Sequence, residues 1–178
     1  MGSQGYKKSV KMEKNQHLAF MYGTLKTGEP NHKQLFAKSP SGSALVGQAR
    51  TLSKYPLIVT TPYNIPFLLH KEGSGHRIKG ELYFINDETL KHIDWFEGHP
   101  NWYERRQIKV ELLTDSDGNK LDQPNIVECW LYGLSRYKNS LLEMPQLEVY
   151  HDKEMEIHKR FQTYNPETDE SLFHYLFD

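Results

Sequence analysis

Cysteine is almost missing: Cys129 is alone among 178 residues. That excludes an internal disulfide framework and any zinc site built on paired cysteines, and it fits a reducing compartment, so the cytosol is the expected location. Long apolar runs are missing too. No stretch approaches the roughly 20 residues that a membrane-spanning helix needs, so a soluble protein with no membrane partner is expected. The opening MGSQGYKKSVKMEKNQ has no apolar segment before Leu18 and no Ser or Thr where a myristoylation motif needs one. Charge of one sign is not in excess either. The 22 Lys and Arg residues are spread among 23 Asp and Glu, for a formal charge of -1. The electrostatic footprint of a nucleic-acid binder is therefore missing, and no nucleic-acid partner is expected.

Several catalytic signatures fail on inspection. Gly23 and Gly28 are separated by four residues, as in a phosphate-binding loop, but Glu29 and Pro30 occupy the places where Lys and Ser or Thr would meet phosphate and magnesium. The nine histidines include no HExxH pair, and no metal site is expected. The glycines flanking Ser74 lack the separations of a GxSxG nucleophile elbow, so Ser74 reads as a turn residue. Trp95, Trp102 and Trp130 read as core or rim aromatics, because no basic groove accompanies them.

What is present is a set of short strands with little helix. HLAFMYG suits a buried strand over residues 18–22, and NHKQLF a short helix after Pro30 with Asn31 as its cap. QARTLS, PLIVTT and PFLLHK read as successive strands. EGSGHR offers turn chemistry before IKGELYFI, whose alternation predicts the second arm of a hairpin. NDETLKHIDWFEG changes period: Asn86 or Asp87 can cap, acids fill the first turn, and Gly98 offers a left-handed stop. QIKVELL and VECWLYG predict another hairpin across an Asp-Gly turn. The expectation is an α+β protein with a small mixed or antiparallel β-barrel and short flanking helices. Residues 1–16 read as a flexible lead-in, 17–150 as a single domain, and 151–178 as a charged tail, partly helical or disordered.

The most informative local pattern lies in the predicted helix. At about 100° per residue, Leu90, Ile93 and Glu97 share one stripe. A carboxylate there must find hydrogen bonds or shed its charge, and partial burial raises its pKa toward the range useful for general acid/base work. The alternative is that Glu97 swings outward from a frayed last turn and pairs with Arg105 or Arg106. Glu81, on a strand face with Tyr83 and Ile85, is the second candidate acid. Tyr103 can line a cavity or simply pack, and Arg105 can brace a site or lie on the surface.

Three stretches together carry a resemblance: YGTLKTGEPNH, YPLIVTTPYNIPFLLHKEGSGHRIKGELY and IDWFEGHPNWYERRQIKV. They resemble the γ-glutamylcyclotransferase-like (AIG2-like) family, and NIPFLLH with GSG and GELY looks most like its γ-glutamylamine cyclotransferase branch. The likeness runs over residues 18–134. It implies a γ-glutamyl cyclotransferase-like fold, a small barrel with a cavity at its mouth. It also implies a reaction without metal or cofactor, in which the α-amine of a γ-glutamyl group attacks its own γ-carbonyl, releasing 5-oxoproline and a free amine. By the motif match, Glu97 is the base and then the acid, and Tyr22, Gly23, Thr24 and Leu25 hold the glutamyl part through main-chain groups. Tyr103, Arg105 and Glu81 are further candidates for lining the site. The expected partner is a small-molecule γ-glutamyl substrate, and a monomer is expected. Two alternatives stay open: γ-glutamyl peptides as substrates, and a non-catalytic member binding a small carboxylate or a protein.

Overall fold

Apolar side chains on both faces of QHLAFM decide where its strand sits. In the computed structural model, which describes residues 15–61, 63–154 and 175–177, this segment is β1 (Gln16–Met21). It pairs antiparallel with β5 (Lys79–Asn86) on one side and meets β7 (Lys120–Gly133) in parallel at Ala19 and Trp130 on the other. Leu18 and Phe20 pack with Leu82, Val110 and Leu131, while Ala19 and Met21 pack with Tyr83, Ile85, Leu90 and Ile93. A strand buried on both faces has to be interior.

Adding β2 (Ser43–Thr51) and β6 (Glu104–Thr114) closes a five-stranded barrel in the order β1-β5-β2-β6-β7. β3 (Leu57–Thr60) and β4 (Ile65–Leu68) form a separate antiparallel pair. The helix α1 (Asp87–Phe96) lies against the outer face of β1 and β5. Its start follows the sequence: the Asn86 side chain accepts from Thr89 N–H at 2.8 Å, and Asp87 and Glu88 occupy the positive end of the helix dipole. Its end follows too, since Gly98 takes φ +62°, a left-handed conformation that glycine adopts without steric penalty. The β6–β7 hairpin turns through Asp117 and Gly118 as predicted.

Two expectations change. The residues of EGSGHR do not turn a hairpin between β4 and β5, because β5 pairs with β1 and β2 instead; His76 bridges to Tyr55. The cause lies in β5 itself, whose residues 80–83 are all buried and so claim a central barrel position. NHKQLF forms only a 3-10 turn, His32–Phe36, and the Asn31 side chain does not cap it. That amide donates to Thr24 Oγ1 at 3.1 Å, so it ties the preceding loop together. Within the expected tail, Leu176 is fully buried among Ile58, Phe67, Leu69 and Leu141, and its carbonyl accepts from Lys138 N–H at 2.9 Å. Of the expected lead-in over residues 1–16 and tail over 151–178, residues 1–14, 155–174 and 178 lie outside the described residues.

Candidate active site

A cavity of about 430 Å³ opens where β1 ends, between the 22–25 turn, β4 and the end of α1. That size is ordinary for a small-molecule site. Phe20, Met21, Pro66, Phe67 and Phe96 give it apolar walls, and Tyr22, Thr24, Glu97, Tyr103 and Tyr132 bring polar atoms to it. Among the described residues, Glu97 is the one charged residue in the lining, which contains no Lys, Arg or His. Among the described residues no group of three or more His, Cys, Asp or Glu side chains is placed to hold a metal ion.

Glu97 reaches the cavity because it caps α1 in helical conformation. Its N–H donates to the Ile93 carbonyl at 2.9 Å, which keeps it on the stripe of Leu90 and Ile93. The chain then folds back: Asn101 and Trp102 N–H both donate to the Gly98 carbonyl at 2.9 Å, bringing Trp102 and Tyr103 over the same space. Burial, with no hydrogen bond or cation to offset it, lifts the Glu97 carboxyl from 4.5 to about 8. The surrounding phenols feel the same enclosure. Burial first and then the Glu97 charge push Tyr22 above the ordinary tyrosine range, and burial first raises Tyr103 as well. The Tyr22 hydroxyl accepts from Leu68 N–H at 3.3 Å, and the Tyr103 hydroxyl donates to the Pro66 carbonyl at 3.1 Å. Both phenols are thereby committed as uncharged struts of the wall.

Across the cavity, Tyr22, Gly23, Thr24 and Leu25 form the turn that follows β1. Among the described residues no hydrogen bond within the protein uses the N–H groups of Gly23, Thr24 or Leu25. Buried or half-buried donors of this kind need an acceptor from somewhere. Gly23 is required by packing: a Cβ there would stand 2.7 Å from Pro66 Cγ. The rest of the loop is tied down on its far side. Thr27 N–H donates to Glu81 at 2.7 Å, Asn31 N–H to the Thr24 carbonyl at 2.9 Å, Lys26 Nζ to the Tyr150 carbonyl at 2.5 Å, and Asp152 N–H to Glu29 at 3.1 Å.

Of the residues singled out from the sequence, Glu97, Tyr22, Gly23, Thr24, Leu25 and Tyr103 line one cavity; Arg105 and Glu81 do not. The Arg105 guanidinium lies over the Trp130 ring at 4.5 Å and pairs with Asp94 at 3.2 Å, behind the wall. Glu81 is spent on the loop, accepting from Thr27, from the Tyr83 hydroxyl at 2.8 Å and from Gln48 at 3.3 Å. The outward pairing of Glu97 with Arg105 or Arg106 does not occur, since Arg105 pairs with Asp94 and Arg106 with Glu104. Sequence reasoning missed Tyr132, whose hydroxyl donates to Asp94 Oδ1 at 2.6 Å, and missed Asn31, Gln34, Tyr63 and Pro66 in the wall. Tyr132 was legible only as one aromatic on an alternating strand. Asn31 and Gln34 look like helix-start residues until the loop is seen to curl beside them.

The five-stranded α+β barrel thus opens on a cavity of small-molecule size whose lining holds both a desolvated carboxyl and a turn of main-chain donors unused among the described residues. The family described as gamma-glutamyl cyclotransferase, AIG2-like, matches residues 19–155, and the chain belongs to that family. It is 39% identical over 133 residues to gamma-glutamylaminecyclotransferase B of Danio rerio, covering 75% of this chain and 67% of that protein. It is 36% identical over 135 residues to the gamma-glutamylaminecyclotransferase of Homo sapiens, covering 75% and 88%. The crystal structure of an AIG2-like protein from Mus musculus superposes with a TM-score of 0.75 at 31% identity, over 85% of this chain and 99% of that one.

Proposed function

We infer that this protein is a γ-glutamylamine cyclotransferase, converting a γ-glutamylamine into 5-oxoproline and a free amine. Relatives bearing that name over three quarters of the chain support the reaction. The observation that carries it in the structure is Glu97: a desolvated carboxyl lining the same cavity as the unused N–H groups of the 22–25 turn.

The chemistry then assigns each part a task. The free N–H groups of Gly23, Thr24 and Leu25 are suited to the α-carboxylate of the glutamyl group, or to the oxygen of its γ-carbonyl as negative charge develops there. Enclosure curls the glutamyl chain so that its α-nitrogen approaches its own γ-carbon; one molecule supplies nucleophile and electrophile. The substrate arrives as an ammonium, which favours the carboxylate form of Glu97 beside it. Glu97 removes a proton, the α-nitrogen attacks, and a tetrahedral oxyanion forms. The C–N bond to the leaving amine breaks as Glu97 returns the proton to that nitrogen; the second proton still on the ring nitrogen then passes by way of Glu97 to the freed amine, so that 5-oxoproline keeps one N–H and the amine leaves as an ammonium. A group poised near neutrality serves both directions. A lining without a cationic side chain among the described residues also favours leaving amines that carry no carboxylate beside the scissile nitrogen. Lysine released from γ-glutamyl-ε-lysine fits that description. The same reading has the protein acting as a monomer in the cytosol, without a nucleic-acid partner.

The test is incubation with γ-glutamyl-ε-lysine, γ-glutamyl-alanine and glutathione, with 5-oxoproline measured. Product from the first is expected; no product from any of them refutes the reaction. Glu97→Gln, which keeps the shape and loses the transferable proton, is expected to lower kcat by about 10²- to 10⁴-fold. Full activity in that variant would remove Glu97 from the mechanism while leaving the reaction standing.

A further inference from the structure

Trp95 is 75% exposed, the only large apolar side chain in the cavity lining left so open to solvent among the described residues. An indole in water forgoes the burial that usually stabilises it. Nor is it loosely placed. Its ring stacks on His92 at 5.5 Å and 25°, and His92 Nε2 is 2.9 Å from Gln34 Oε1, another lining residue. Burial, then the Lys38 charge, lower the His92 pKa, so the stack is between two uncharged rings. The exposed indole is thus braced from behind, two residues before Glu97.

The room in the cavity says what Trp95 faces. At about 30 Å³ per molecule in the liquid, 430 Å³ is the space of roughly fourteen waters, more than a curled glutamyl group of roughly nine non-hydrogen atoms requires. Glu97 and the 22–25 turn account for the glutamyl end. Trp95 lies at the solvent-open end, where the group on the far side of the scissile bond must project.

We propose that Trp95 is a specificity determinant of the cyclotransferase reaction, a braced platform on which the aliphatic stem of the leaving amine lies. The role rests on the cyclotransferase reading and adds to it the class of leaving group: amines with several methylenes beyond the nitrogen. The experiment compares γ-glutamyl butylamide with γ-glutamyl methylamide in the full-length protein and in Trp95→Ala and Trp95→Phe. In the alanine variant, KM for the butylamide should rise about ten- to fifteen-fold, the loss of covering roughly two methylene groups. Its kcat and both constants for the methylamide should stay within about twofold, because the contact is present equally in ground and transition states. Phenylalanine should restore most of the affinity. The urea midpoint should not move, since the ring is mostly in water, so a structural defect would be recognised. Equal KM changes for the two amides, or none, overturn the role of Trp95. No 5-oxoproline from either amide with the unaltered protein overturns the reaction and this role with it.

Discussion

Replacing Glu97 by glutamine should change how stability depends on pH, independently of any substrate. In the folded protein burial holds the carboxyl near 8, against an ordinary 4.5. Between those values the unfolded chain releases the proton and the folded chain keeps it. Stability therefore falls as pH rises from about 4.5 to about 8, and is flat beyond. A shift of that size corresponds to about 5 kcal/mol in full. Glu97 retains partial exposure, and water entering the open cavity screens the charge, so roughly half is expected. Glu97→Gln has no such slope. The two proteins should have similar unfolding free energies near pH 5, and the variant should be more stable by about 2–3 kcal/mol near pH 9. Urea unfolding at half-unit intervals of pH measures the difference directly, and titrations elsewhere in the molecule cancel in it. Parallel curves from pH 5 to 9 would refute the desolvated carboxyl, and the mechanism would lose its base.

The same proton governs rate. kcat/KM reports the free enzyme, so its rising limb should lie well above the ordinary carboxylate range, toward pH 8, while kcat should rise at lower pH because the bound ammonium favours the Glu97 carboxylate; a pH profile with a γ-glutamylamine tests both. Gly23→Ala sets a Cβ 2.7 Å from Pro66 Cγ and should push the turn and β4 apart, lowering stability by about 1–3 kcal/mol and raising KM, read by thermal melting and steady-state kinetics. Leu176→Ala removes a fully buried side chain near the end of the chain and should cost about 2 kcal/mol by urea unfolding, the low end of such truncations.

Local signals were legible where one residue type has one job. Asn86 before a run of acids and Gly98 after the apolar stripe bounded α1 correctly, since capping and left-handed backbone are decided within a few residues. Pairing partners were not legible, because β5 is buried on both faces and alternation cannot say which neighbours it takes. Tyr132 illustrates the limit for the site. Its hydroxyl is defined by Asp94, 38 residues earlier, and only barrel closure brings the two together.

The two glutamates nominated from the sequence show how a fold separates roles that residue type cannot. Glu81 sits beneath the substrate loop with donors from Thr27, Tyr83 and Gln48 around it, so its negative charge is satisfied before any ligand arrives. Its removal would release the loop rather than stop a proton transfer. Glu97 has enclosure without donors, which is costly for folding and is tolerated only where the missing partner comes from outside. On the proposed reading an ammonium is that partner, and the N–H groups of the 22–25 turn, unused among the described residues, suit its complement, an anion. A molecule carrying both charged groups on one carbon, as the α-amino acid end of a γ-glutamyl group does, would satisfy both at once. The loop's many tethers follow from the same logic: each donor must already be in place when the chain curls, because an intramolecular attack gains its rate from geometry held in advance.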